Sequence, residues 1–96
     1  MVQVIWNAGA LAQLEDIKAY IEKSSSIQAR RVVHLIREAT RKLERHPEFG
    51  AVVPEWEDKA VRELRVFHYR IIYHFSEDKI RIVTIVHGAR RINDGM

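Results

Sequence analysis

The sequence predicts an α+β fold, in which an N-terminal strand is followed by an antiparallel helical hairpin packed on one face of an antiparallel β-sheet (β-α-α-β-β-β). Two observations predict this fold. Apolar residues recur at helical spacing in two successive segments of the N-terminal half, and three runs rich in Val, Ile, Tyr and Phe follow in the C-terminal half. No helix-length segment separates these runs, so we expect them to pair as antiparallel neighbours.

The N-terminal segment predicts one strand and one helix. Val2–Trp6 is short, apolar and rich in β-branched residues, which is typical of a strand. Asn7 follows it, and its side-chain oxygen suits the N-cap of a helix. The apolar stripe of that helix consists of Ala10, Leu14, Ile17 and Ile21. Three serines at 24–26 interrupt the periodicity, and we expect Ser26 to cap a second helix.

The second helix has the clearer pattern, because one face is apolar and the other is charged. The stripe consists of Ala29, Val32, Val33, Ile36, Thr40 and Leu43. His46-Pro47 is expected to end the helix, since the residue before a proline avoids the α region. Each helix has one face to bury, so the two form a hairpin that needs a sheet to pack against.

The remainder of the chain predicts a connection and three strands. Gly50–Lys59 is a polar connection that carries Pro54 and Trp56. The strands that follow are Val61–Val66, Tyr69–Ser76 and Lys79–His87, the last two joined by a turn at Glu77-Asp78.

Composition predicts a single globular domain over residues 1–96. A chain of this size buries roughly two thirds of its unfolded surface. Apolar residues make up 47% and charged residues 30%, a balance typical of globular rather than disordered chains. There is no cysteine, no apolar run of the roughly 18 residues that span a bilayer, and no signal-peptide pattern at the start. These features favour a cytoplasmic protein.

The net charge of +3 arises in the last third of the chain. Residues 1–60 contain nine Lys or Arg and nine Asp or Glu, whereas residues 61–96 contain seven basic and four acidic residues. His68, His74 and His87 lie in the same third. An anionic partner, either nucleic acid or an acidic protein segment, is therefore expected to contact this part of the chain.

The last hairpin predicts which residues share a face of the sheet. With a turn at Glu77-Asp78, residues that face each other have numbers that sum to 155, as 77 and 78 do. The more apolar face is assigned to the helices. The other face then carries Arg70 opposite Ile85, with His87 diagonal to Arg70. This register predicts that Arg70 and His87 share the side turned away from the helices.

A tight turn at Phe67-His68 places Arg65 opposite Arg70 on that second face, near Glu63. Two directly opposed arginines repel each other unless an anion or a carboxylate lies between them, so a bound acidic group is expected. The alternative is that Glu63 neutralises them in surface ion pairs of little energetic worth. The face is also more apolar than solvation requires, which favours a partner that covers it. Its apolar residues are Ile72, Val83 and Ile85.

Other kinds of site are not supported by the sequence. His68 and His74 are separated by about 20 Å along an extended strand, too far to share a metal ion. The chain has no glycine-rich phosphate loop and no nucleophilic Ser or Cys arrangement. We therefore expect no metal and no cofactor. Trp6 and Trp56 are interpreted as packing residues, because neither lies in a basic strand.

Several segments, taken in order, resemble toxins of the ParE/RelE superfamily. In the C-terminal half these are Val61-Arg62-Glu63-Leu64-Arg65-Val66, Tyr69-Arg70-Ile71-Ile72-Tyr73 and Ile85-Val86-His87-Gly88-Ala89-Arg90. Residues 12–21 resemble the first helix of the ParE branch, and Pro47-x-x-Gly50 resembles the bend after its second helix. The resemblance spans nearly the whole chain.

The resemblance implies a toxin of a type II toxin–antitoxin system that forms a hetero-oligomer with its cognate antitoxin. In this superfamily the C-terminal segment of the antitoxin wraps around the toxin, adding a strand or laying a helix in a groove. Two activities divide the superfamily. ParE-like members poison DNA gyrase, whereas RelE-like members are ribosome-dependent mRNA endonucleases.

The two branches imply different roles for the same residues. If the chain is a ribonuclease, Arg70 binds the phosphate and His87 acts as acid or base. The RelE type, however, carries a lysine pair where this chain has Arg62, Glu63 and Arg65. It also carries a C-terminal tyrosine, whereas no aromatic residue follows His87 here. These departures favour gyrase inhibition.

Under the ParE interpretation the same residues bind rather than catalyse. Arg70 stabilises the sheet or contacts the antitoxin, and His87 forms a hydrogen bond at the end of a strand. Arg90 and Arg91 contact gyrase or DNA phosphates, and Arg62, Glu63 and Arg65 complete the set expected to bind a phosphate or a partner. A nucleic-acid-binding module without toxicity is a further alternative, because the basic third suits it equally.

Overall fold

The computed structural model describes residues 1–88, and within them the chain forms one sheet covered by two helices. The elements in chain order are β1 (Gln3–Trp6), α1 (Ala8–Glu22), α2 (Ser26–Arg41), β2 (Ala51–Val52), β3 (Val61–Val66), β4 (Tyr69–Ser76) and β5 (Lys79–His87). The three C-terminal strands have the predicted bounds, and the α+β fold class is confirmed.

The sheet has the strand order β1-β5-β4-β3-β2. β3, β4 and β5 pair in the predicted antiparallel manner through two tight turns. Phe67 and Glu77 close these turns with a positive φ of 58°, which costs about 1–2 kcal/mol for a residue with a Cβ atom. The edges differ from the prediction, because β1 joins β5 in parallel, with Gln3 opposite Lys79, and β2 extends the sheet beside β3.

The N-terminal caps of both helices differ slightly from the prediction. Asn7 occupies the N-cap of α1, but its side chain makes no capping hydrogen bond. Ser25, rather than Ser26, caps α2, since its hydroxyl oxygen accepts a hydrogen bond from the backbone N–H of Gln28 at 3.0 Å. α2 ends at Arg41, and a 3-10 turn over Lys42–Glu44 leads into the proline-containing bend.

The main core lies between the helical hairpin and one face of the sheet. Both helices turn the predicted stripes toward the sheet, with Ile17, Ile21 and Val33 only partly buried. Each fully buried Leu or Ile contributes about 1.5–3 kcal/mol. The buried residues of this core, from the helices, the turn after α2 and the sheet, are Ala10, Leu14, Val32, Ile36, Leu43, Leu64, Ile71, Tyr73, Ile80, Ile82 and Ile85. Ile85 was assigned to the opposite face by the sequence register, so that part of the prediction is wrong.

A β-bulge in β5 explains this difference. Near the turn the register is the predicted one, with Phe75 opposite Ile80, but it shifts by one residue at Val83. Beyond the bulge, Arg70 faces Val86 and Tyr69 faces His87. Because side chains alternate between the faces of a strand, this shift exchanges the faces of the last residues of β5.

Gln13 of α1 satisfies backbone and side-chain groups beside the bulge. Its Oε1 atom accepts hydrogen bonds from the Ile85 backbone N–H and from the Thr84 hydroxyl, both at 3.0 Å. A bulge disrupts the ladder of hydrogen bonds between strands, so a helix side chain that reaches these donors stabilises it.

We expect Gln13→Ala to lower the free energy of unfolding by about 1–3 kcal/mol, because the donors of β5 lose their acceptor. Alanine has the higher helix propensity, so the helix itself does not account for a loss. Urea unfolding followed by circular dichroism measures the difference. Glu15→Ala, at an exposed position of the same helix, is the control and should change stability little. Equal midpoints for the two variants would argue against this role of Gln13.

Candidate functional site

Arg70 is the centre of a buried group of ion pairs on the sheet face turned away from the helices. Its Nε atom donates a hydrogen bond to Glu63 Oε1. Its two terminal nitrogens donate to the two carboxylate oxygens of Glu55, each at 2.9 Å. Hydrogen bonds from Glu55, and then from Glu63, raise the pKa of the Arg70 guanidinium above its ordinary value although burial opposes this. Arg70 is therefore a permanent, enclosed cation, with only 3% of its surface exposed.

Arg65 completes this group at the surface. It lies directly opposite Arg70 in the predicted register, and its Nε atom is 3.9 Å from Glu63 Oε1. The Arg65 side chain is 67% exposed, in contrast to Arg70. The carboxylate between the two arginines is thus Glu63 of the same chain, as the alternative interpretation held, although its ion pair with Arg70 is buried. Glu55 supplies a second carboxylate to Arg70.

The apolar part of the second face is covered by the chain itself. Val53 and Trp56, in the connection between β2 and β3, pack against a small cluster of sheet residues. These are Val61, Ile72 and Val86. Glu55 lies between the two packing residues in sequence, so its bond to Arg70 holds this connection on the sheet. The segment that covers this apolar patch is intramolecular, and Trp56 is a packing residue as predicted.

His87 does not share a face with Arg70, so the predicted pairing of these residues is wrong. His87 is opposite Tyr69, which packs against the helical side of the sheet, whereas Arg70 is opposite Val86 on the other side. The His87 ring lies 6.0 Å from the Tyr69 ring and 6.4 Å from the His68 ring, measured between centroids. Burial, and secondarily Tyr20, raises the pKa of Tyr69.

The two faces meet at the end of the hairpin in an open cleft of about 290 Å³. Its lining consists of Arg65, Phe67, His68, Tyr69, Arg70, His87 and Gly88. His87 and His68 are exposed there. The cleft therefore presents two imidazoles and one accessible guanidinium, with the other guanidinium held by carboxylates.

Arg62 binds backbone carbonyls on the other side of β3. Its guanidinium donates to the Gly50 oxygen at 2.9 Å and to the Glu48 oxygen at 3.3 Å, and its Nε atom donates to the Lys59 oxygen at 3.2 Å. These contacts fasten the bend after α2 to the sheet. Arg90 and Arg91, the remaining predicted partner-binding residues, lie outside the described residues.

The link between this bend and Tyr73 was not predicted from the sequence. The Tyr73 hydroxyl donates to the Pro47 carbonyl oxygen at 2.9 Å and accepts from the Gly50 backbone N–H at 2.9 Å. Tyr73 is fully buried, and burial raises the pKa of its phenol. A tyrosine on the helical face of a central strand was the available signal, since a buried phenol needs a polar partner.

Within residues 1–88 no three His, Asp or Glu side chains converge as metal ligands. In the same part of the chain, neither helix combines the length and the apolar character that crossing a membrane requires.

Comparison with known proteins gives consistent matches over most of the chain. The model of a family described as the ParE toxin of type II toxin–antitoxin systems matches residues 4–92. The curated protein "Toxin RelE2" of Caulobacter vibrioides is 35% identical over 91 residues, which is 94% of this chain and 99% of that protein. "Putative toxin Y4kP" of Sinorhizobium fredii is 36% identical over 91 residues, covering 93% and 91%.

Solved structures show the same fold. A chain of the chromosomal ParDE toxin–antitoxin system from P. aeruginosa superimposes with a TM-score of 0.74 at 24% identity, covering 91% of this chain and 96% of that one. A chain of the YoeB–YefM complex from Staphylococcus aureus gives a TM-score of 0.54 at 14% identity, with coverage of 88% and 94%.

Proposed function

Since the chain belongs to the ParE toxin family of type II toxin–antitoxin systems, we propose that it arrests growth by poisoning DNA gyrase and that a cognate antitoxin neutralises it. One observation carries the choice of gyrase over RNA. The Arg70 guanidinium, which a ribonuclease of the superfamily would direct at phosphate, is enclosed by Glu55 and Glu63 of its own chain.

Cleavage of RNA needs a cation at the phosphate, together with a base and an acid within reach of the same bond. Arg70 is 3% exposed, and its hydrogen bonds to two carboxylates leave it poorly placed to receive a third anion. His87 pairs with Tyr69 and therefore lies on the sheet face opposite to that of Arg70. The separation of these two residues supports inhibition by binding rather than by catalysis.

An open strand edge beside an apolar groove supports antitoxin binding. β2 pairs only with Arg62 and Glu63, so within residues 1–88 the outer edge of β3 beyond Glu63 has no strand partner. The groove beside it has a volume of about 390 Å³. Its lining includes Ala39, Lys42, Phe49, Leu64 and Val66. Phe49 is 65% exposed. An added strand would pair with the free backbone groups at the edge of β3, and an apolar segment would cover Phe49.

The test is a supercoiling assay with purified gyrase, relaxed plasmid and the full chain. We expect the toxin to stop supercoiling and to accumulate cleaved plasmid, and we expect an equimolar amount of antitoxin to restore the reaction. In a parallel translation extract, mRNA should remain intact. Unimpaired supercoiling in the presence of excess folded toxin would refute the proposal. Harmless expression together with salt-sensitive nucleic-acid binding would instead indicate a plain binding module.

The hairpin-end cleft favours a second candidate, the ribosome-dependent mRNA endonuclease. His68 and His87 are both exposed at this cleft, where two imidazoles are suited to acid and base roles. This candidate predicts mRNA cleavage, mapped by primer extension, that is abolished by His87→Ala. His46→Ala, at an exposed histidine outside the cleft, is the matched control and should leave cleavage unchanged.

A further inference from the structure

One face of α2 carries a straight line of basic side chains. Arg30, His34, Arg37 and Arg41 are spaced by four, three and four residues, and all four are exposed. At 3.6 residues per turn they fall within an arc of about 60°, and the line extends over about 16 Å. We call this set the α2 stripe. The buried stripe of the same helix lies on the opposite side, so the α2 stripe faces solvent.

Positive charge in the described chain is not confined to the C-terminal third, because the segment that contains α2 carries a dense basic cluster. Residues 26–46 contain six Lys or Arg and two Asp or Glu. Arg41 has an exposed ion pair with Glu38 at 3.2 Å. Within residues 1–88, Arg30 and Arg37 have no carboxylate within ion-pair distance. The charge count of the first 60 residues conceals this, because the balancing acidic residues lie on other elements.

The α2 stripe borders an open groove between the two helices. This groove has a volume of about 680 Å³. Its α2 wall includes Arg30, His34 and Arg37, and its α1 wall carries Glu15, Lys18 and Glu22. Lys18 lies 4.0 Å from Glu22, so that wall has a net negative charge. An anion is repelled by the α1 wall and attracted by the α2 wall, so it is expected to contact the arginines from the solvent side of α2.

We propose that the α2 stripe binds the phosphate backbone of duplex DNA. A duplex carries one negative charge per about 1.7 Å of its axis, so a line of about 16 Å can meet several phosphates. Segment 26–46 has no Phe, Trp or Tyr, which unpaired bases need for stacking. The exposed large apolar residues of α2 are Ile27 and Leu35, and neither is an aromatic residue of the kind that most often anchors a protein interface. The inference rests on the proposed function, since gyrase acts on DNA that the toxin would contact in the same complex.

The test measures binding of the full chain to a short labelled duplex by fluorescence anisotropy over a series of salt concentrations. The variant carries Arg30→Gln, Arg37→Gln and Arg41→Gln, because glutamine preserves helix propensity. The control carries Lys59→Gln, Lys79→Gln and Arg81→Gln, which remove the same charge from exposed positions elsewhere. We expect the stripe variant to bind roughly tenfold or more weakly, with a salt slope smaller by about 2.7, since each phosphate contact contributes about 0.9. The control should retain the wild-type slope.

Three results would overturn the inference: equal losses in the two variants, tighter binding of single-stranded RNA than of duplex, or a stripe variant that loses affinity for antitoxin while its DNA binding is unchanged. Unaltered thermal unfolding of both variants verifies that they fold. The supercoiling assay separates this inference from the proposed function. If wild type blocks gyrase and both variants bind DNA equally, only the DNA-binding role of the α2 stripe is refuted. If wild type binds DNA through the stripe but leaves gyrase active, only the function is refuted.

Discussion

Replacing Arg70 with Met is expected to lower the free energy of unfolding by about 3–5 kcal/mol. The Glu63 and Glu55 side chains, which are 4% and 10% exposed, would lose the cation that pairs with them. Buried charges without a partner are among the most destabilising features of a protein interior. Because small domains are stable by only about 5–15 kcal/mol, this loss is large. Urea unfolding of the full chain, followed by circular dichroism, measures it.

Arg65→Met is the matched control, because it removes the same group from the cross-strand neighbour. Arg65 is 67% exposed and only 3.9 Å from Glu63, so we expect its loss to cost less than about 1 kcal/mol. Combining Arg70→Met with Glu63→Leu and Glu55→Met should recover most of the stability, since an apolar replacement of a buried ion-pair group is often neutral. Similar losses for Arg70→Met and Arg65→Met would contradict the buried ion-pair account.

The triple variant, with Arg70→Met, Glu63→Leu and Glu55→Met, also distinguishes the possible roles of Arg70. Loss of toxicity in Arg70→Met alone says nothing about chemistry, because an unfolded toxin is inactive for any mechanism. If the folded triple variant still blocks gyrase, Arg70 serves only to hold the connection between β2 and β3 on the sheet. If the triple variant folds and is harmless, at least one of the three charged residues is needed for action on the target.

Most of the fold was predictable because its signals are local. The β-branched runs and the two tight turns predict β3, β4 and β5 with their observed bounds, and helical periodicity predicts both buried stripes. The position of β1 was not predictable, since parallel pairing with β5 joins segments from the two ends of the chain and leaves no local pattern.

The register failed at the bulge for a definable reason. Residues 82–86 form a continuous β-branched run, Ile-Val-Thr-Ile-Val, in which both faces look alike. An extra residue at Val83 therefore leaves the pattern unchanged while it moves Ile85 to the helices and His87 away from Arg70. Glu55 was missed because its partner, Arg70, is distant in sequence and the polar connection has no periodicity that indicates where it packs.

Gly50→Ala is expected to lower the free energy of unfolding by about 2–4 kcal/mol. A Cβ atom at this position would lie 2.6 Å from the backbone oxygen of Glu63 and 2.7 Å from the ring of Tyr73. Neither neighbour can withdraw easily, because one is sheet backbone and the other is a fully buried side chain. The methyl group would also separate the Gly50 N–H from the Tyr73 hydroxyl that accepts its hydrogen bond. Thermal and urea unfolding measure the loss.

Gly9→Ala is the control for this prediction, since a Cβ atom at Gly9 meets no atom within 4 Å. Gly9 lies in the first turn of α1, where alanine should raise stability by about 0.5–1 kcal/mol through helix propensity. Tyr73→Phe in the Gly50→Ala background removes one obstructing atom but not the Glu63 oxygen, so it should restore little. If Gly50→Ala lowers the free energy of unfolding while Gly9→Ala raises it, the close approach of the bend to the sheet, rather than backbone freedom, is the reason for glycine at position 50. A neutral Gly50→Ala would mean that the bend can move away from Tyr73, and the anchoring of β2 beside β3 would then need another cause.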